Sequence, residues 1–76
     1  MSKVLSDLSP GEKGVVKKVT GNSLIKRRIV DMGVVGGTVI EVRKFAPLGD
    51  PMEVKIKGFN LSLRKTEAEM IEIEIL

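Results

Sequence analysis

The side chains that most often do chemistry are missing from this chain. Its 76 residues contain no His and no Cys. That removes the hydroxyl–imidazole and thiolate pairs of nucleophilic catalysis and the common ligands of a zinc or copper site. Carboxylates remain, but Asp31, Asp50 and Glu53 are scattered along the sequence, whereas a hard-cation site needs several converging oxygens. Gly33-Val34-Val35-Gly36-Gly37 is rich in glycine, yet it follows a helical pattern and opens a strand. That order is the reverse of one that aims a helix N-terminus at a phosphate, and no Gly-x-x-x-x-Gly-Lys-Ser/Thr motif occurs. These residues predict a binding module: no enzyme, no cofactor and no dedicated metal ligands.

Groups that could hold a partner are present. Lys26-Arg27-Arg28 is the sharpest basic cluster. On a helix the three side chains fan over roughly 200° and cannot all meet one partner. One reading docks them on an acidic or phosphate-bearing surface. The other leaves Lys26 and Arg27 in solvent and ties Arg28 to loop carbonyls or to Asp50 through its planar fork. Pro47, Leu48 and Pro51 make a stiff apolar loop, and a stiff loop with an exposed Leu loses little entropy on binding. Leu48 either forms a contact tip or folds over the end of the domain. Leu24, Ile25, Ile29 and Met32 exceed what one helical face needs, so most are core and any left outside marks an interface. The candidate partner-binding residues are therefore Leu24, Lys26, Arg27, Arg28, Met32, Pro47, Leu48 and Asp50.

These residues must be positioned by short elements. Gly14–Thr20 reads as a first strand rich in β-branched residues. Asn22 or Ser23 then caps a helix over Leu24–Met32, whose apolar residues recur at three- and four-residue spacing. Gly33 is placed to end that helix in the left-handed conformation. Thr38–Phe45 is the next strand. Met52–Lys57 alternates strictly, with Met52, Val54 and Ile56 inward. Phe59, Leu61 and Leu63 alternate again, which puts both aromatics of the chain, Phe45 and Phe59, at expected core positions. Lys65–Met70 reads as a turn or single helical turn with Thr66 as cap, and Ile71, Ile73 and Ile75 mark a last strand. About five short strands and one early helix predict a small antiparallel barrel or sandwich occupying residues 1–76 as one domain. The Glu-alternating last strand and the Lys-alternating strand after residue 51 are candidates to pair.

Charge is unevenly spread. Residues 1–65 carry all thirteen bases against six acids, net +7, and residues 66–76 carry four glutamates and no base, net −4. A basic body suits an anionic partner or simply a solvated surface. The alternative reading is a small basic nucleic-acid-binding barrel, against which stands the scarcity of aromatics for stacking. The N-terminal run Met1–Asp7 lacks the apolar stretch of a signal peptide, and nothing approaches the length of a membrane span. The expectation is a cytoplasmic protein, at most peripheral at the inner face of the membrane.

Several motifs carry a resemblance. Leu5-x-x-Leu8-x-Pro10-Gly11-Glu12-x-Gly14, Arg27-Arg28-Ile29-Val30-Asp31-Met32-Gly33, Gly37-Thr38-x-Ile40-Glu41-Val42, Ala46-Pro47-Leu48-Gly49-Asp50-Pro51, Leu61-x-Leu63-Arg64 and Ala68-x-x-Ile71 resemble the FeoA family along nearly the whole chain. Gly36 departs from the pattern, which usually has Pro there. The resemblance implies a mostly β, SH3-like five-stranded barrel with one short helix inserted after the first strand. It also implies an accessory role in bacterial ferrous iron uptake, with the membrane ferrous transporter FeoB as partner and modulation of its assembly or GTPase-linked transport as function. No nucleic acid is expected as ligand, and the expected state is a monomer or weak homodimer.

Overall fold

The computed structural model describes residues 3–76; Met1 and Ser2, where the reading of the N-terminal run begins, lie outside the described residues. Strand β1 (Lys3–Val4) leads into a 3₁₀ turn at Leu5–Asp7, and β2 (Lys13–Val19) into α1 (Ser23–Asp31). Strands β3 (Val39–Phe45), β4 (Met52–Ile56) and β5 (Phe59–Leu63) form a meander, followed by the single turn α2 (Lys65–Ala68) and β6 (Ile71–Ile75). The described strands form one antiparallel sheet in the order β1-β6-β2-β3-β4-β5. The sheet curls around its core as a mostly β, SH3-like barrel.

Period-two alternation decides which side chains enter that core. Met52, Val54 and Ile56 of β4 are buried, as are Ile71 and Ile73 of β6. In β2 the buried valines are Val16 and Val19, three apart rather than two, because the ladder to β6 slips between Val16 and Lys18. A second slip falls between Val42 and Lys44 of β3. Such bulges bend a strand and raise its twist, which lets so small a sheet wrap round itself. Leu5 and Leu8 fill the core from the 3₁₀ turn, and Ile29 fills it from α1.

Helix α1 begins and ends as the sequence expects. Asn22 Oδ1 accepts the Ile25 N–H at 3.0 Å. Gly33, at φ +94°, takes the left-handed conformation that a Cβ would penalise. The chain then turns through Val35–Thr38, where the Thr38 N–H donates to the Val35 carbonyl at 3.0 Å and Gly37 has φ +88°. That is a type II turn with Gly36 at its second position.

Four expectations need correction. The sheet has six strands rather than five, because Lys3–Val4 pairs with β6; two residues are too few to show a period. The Glu-rich β6 pairs with β2 rather than with β4, so Lys18 faces Glu72, while Lys55 of β4 faces Glu41 of β3. Phe59 is 45% exposed at the start of β5 rather than in the core: it faces the buried Ile56 in register, but β5 ends the sheet and no described strand covers its outer side. Thr66 does not cap α2; Arg64 holds that position, and Glu67 Oε1 accepts its N–H at 2.9 Å.

Candidate partner-binding surface

Helix α1 divides its basic cluster between two neighbours. Lys26 lines a groove of 560 Å³ between α1 and β2, together with Lys17, Lys18, Val19, Val30 and Val35. Arg28 points the other way, its Nε 3.5 Å from Glu67 Oε2 of α2. Arg27 lies between them, exposed, and forms no ion pair among the described residues. Two residues along a helix is a rotation of about 200°, and the structure uses that rotation to place the three cations in three environments.

Glu67 was not singled out in the sequence, yet it organises this region. It is 5% exposed. One carboxylate oxygen holds the Arg64 N–H and the other faces Arg28, so α1, α2 and the end of β5 meet at one side chain. Its signal was faint because the Ser/Thr-x-x-Glu capping pattern falls on Thr66 and Glu69, whereas the cap is Arg64. The expected tie between Arg28 and Asp50 is replaced by this one. Asp50 Oδ1 instead accepts the Lys65 N–H at 2.9 Å, which anchors the 46–51 loop to the start of α2.

The anchored loop presents Leu48 at 96% exposure, with Pro47 also exposed. Of the two readings of Leu48, the structure takes the projecting tip. Beside it lies a smaller recess of 230 Å³ lined by Ser6, Phe45, Gly49, Met52 and Lys65. On α1, Ile29 is core, Ile25 and Met32 pack partly against it, and Leu24 stands 82% exposed. Met32 is thus mainly a packing residue, while Leu24 and Leu48 are apolar side chains the fold leaves in water. Among the described residues no group of three or more His, Cys, Asp or Glu could hold a metal ion, and no helix is long and apolar enough to cross a membrane. The surface offers cations and exposed leucines, among them Leu24 and Leu48, which are means of binding.

Comparison with known proteins identifies the family. A Porphyromonas gingivalis Fe(2+) transport protein A/Fe(2+) transporter FeoB fusion protein is 40% identical over 72 residues, 95% of this chain. The chain spans only 8% of the length of that relative. The solution structure of a FeoA-like protein from Clostridium acetobutylicum matches with a TM-score of 0.93 at 39% identity, covering 99% of this chain and 87% of that one. Stenotrophomonas maltophilia FeoA, solved with zinc and described as a prokaryotic SH3 domain protein, matches with a TM-score of 0.82 at 28% identity, over 95% of this chain and 89% of that one. The model of the FeoA domain itself matches residues 3–75, from the first described strand to the end of β6, and on that match this chain belongs to the FeoA family.

Proposed function

We propose that this chain is an accessory protein of bacterial ferrous iron uptake. In this reading it binds the membrane transporter FeoB from the cytosolic side and modulates its assembly or GTPase-linked transport, with no chemistry of its own. One observation carries the reading: the Porphyromonas relative holds a domain like this one and FeoB in a single polypeptide. Fusion holds the two parts at high effective concentration, as suits partners that act together. The surface proposed to supply it comprises Leu24, Lys26 and Arg27 on α1 and Pro47 and Leu48 in the loop, held in place through Arg28, Asp50 and Glu67. Exposed apolar side chains beside cations suit an acidic protein face. The protein is proposed to act in the cytoplasm as one domain, a monomer or weak homodimer.

The test is calorimetry against purified, detergent-solubilised FeoB, with and without a GTP analogue. Saturable binding supports the partner, and nucleotide-dependent affinity points to regulation of the GTPase. No heat of binding in any nucleotide state overturns the reading. Unchanged binding by both Arg27→Glu and Leu48→Ser removes the surface while leaving the partner.

A further inference from the structure

Strand β5 ends the sheet order, and no described residue pairs with its outer side. The turn before it fixes which of its backbone groups are left over. Lys57 and Gly58 have φ of 46° and 85°, and Ile56 faces Phe59 in register. Two central residues with positive φ make a type I′ hairpin, whose flanking residues form a hydrogen-bonded pair. Alternation then makes Val54–Leu61 and Met52–Leu63 the next hydrogen-bonded pairs, and it turns the N–H and C=O of Asn60 and Ser62 away from β4. The next outward N–H, that of Arg64, is already held by Glu67. Asn60 and Ser62 are both exposed, and Phe59 and Leu61 flank them with partly exposed apolar surface.

Sheet edges are usually blunted by charge, proline, bulges or shortness. The opposite edge, β1, is two residues long and carries Lys3. Strand β5, Phe-Asn-Leu-Ser-Leu, has five residues, no charge and no proline, and its ladder to β4 is regular. What surrounds the edge decides what can add to it. A second copy related by a two-fold axis at Leu61 would bring Lys57 of one molecule beside Arg64 and Lys65 of the other, at both ends of the pairing. Like charges so placed oppose self-association. The same cations favour an acidic visitor, while Lys55 on the adjacent strand is faced by Glu41. Glu53 is the one acid on β4 beside β5, and Lys44 of β3 faces it in register.

We propose that β5 is a strand-addition site. It takes an extended segment of the transporter that is apolar where it passes Phe59 and Leu61 and acidic at its ends. Backbone hydrogen bonds to Asn60 and Ser62 set its register, and Lys57 and Arg64 select its charge. This rests on the transporter being the partner.

Asn60→Pro tests it. Proline on an edge strand with its nitrogen toward solvent keeps the internal ladder, but it deletes the donor an added strand needs. The wild type and N60P are titrated into detergent-solubilised FeoB, and amide hydrogen exchange of the wild type is followed free and bound. The expected result is a loss of affinity of about tenfold or more for N60P with its thermal unfolding cooperative, and slowed exchange at Asn60 and Ser62 in the complex. Equal affinity of a folded N60P, or unchanged exchange at both amides in a formed complex, overturns the inference. If N60P does not fold, the exchange measurement on the wild type decides. Absence of wild-type binding overturns the partner assignment itself, and the strand-addition site with it.

Discussion

Glu67 shows how much one side chain can connect in so small a core. A carboxylate that is almost wholly buried needs partners for its oxygens, and this one has the Arg64 N–H at 2.9 Å and Arg28 at 3.5 Å. The two contacts are unequal. The N–H bond is part-buried and to a charged acceptor, whereas the Arg28 side chain is mostly in water, where ion pairs contribute about 0–1 kcal/mol. Glu67→Ala is therefore expected to lower stability by about 1–3 kcal/mol, and Arg28→Ala by about 1 kcal/mol or less. Glu67→Gln, which keeps an oxygen for the N–H, should fall between them. Urea unfolding of the three variants gives the order, and a larger loss in Arg28→Ala would make the ion pair the dominant contact. That Arg28 is tied within the fold was one reading of the sequence, with loop carbonyls or Asp50 as its partners, but Glu67 was not among them. Asp50 sits in a loop and invited pairing, while Glu67 lies in an acidic tail that reads as a solvated face.

The corner between α1 and β3 is the element most open to improvement. Val35–Thr38 is a type II turn, and Gly36 occupies the position where proline is favoured because its φ is already near −60°. The Gly36 N–H donates to no described backbone acceptor, and a Cβ there would meet the Lys17 carbonyl at an ordinary 3.6 Å. Gly36→Pro is thus expected to stabilise by about 0.4–1 kcal/mol through the unfolded chain. In a domain this size that raises the thermal midpoint by roughly 2–8 °C. Scanning calorimetry checks it, and a lowered midpoint would mean the turn is not what its hydrogen bond indicates. A second element prediction concerns the other end of the helix. Asn22→Ala removes the cap on the Ile25 N–H and should cost about 1 kcal/mol in urea unfolding. At this scale most of the fold could be read in advance: the alternation of β4, the cap at Asn22 and the helix stop at Gly33 are local signals. The bulges in β2 and β3 are not, because they answer to the curvature of the whole sheet. Strand pairing is not local either: β6 pairs with β2 rather than β4, since complementary charge is too weak a guide beside chain connectivity and core packing.

Across the whole molecule, charge is partly settled inside the sheet. Strand β6 brings Glu72 opposite Lys18 and Glu74 to 4.0 Å from Lys17, so the acidic tail offsets part of the basic body it lies against. That leaves Lys26, Arg27 and the bases around β5 as the positive surface, and Leu24 and Leu48 as its projecting apolar points. A side chain 82% or 96% exposed gains almost nothing from burial in the fold. Leu24→Ser and Leu48→Ser are accordingly expected to change unfolding stability by less than about 0.5 kcal/mol each. Their effect on transporter binding should be larger, because the apolar area they bury there has no counterpart in the free protein. Urea unfolding and calorimetry on the same preparations separate the two roles. A leucine whose loss unfolds the protein belongs to the core despite its exposure. One whose loss leaves both stability and binding unchanged belongs to neither, and the contact surface then lies elsewhere on the barrel. If binding alone falls, and more in the double variant than in either single one, the helix and the loop act as one surface, with the Arg28–Glu67–Arg64 and Asp50–Lys65 contacts holding its two halves together.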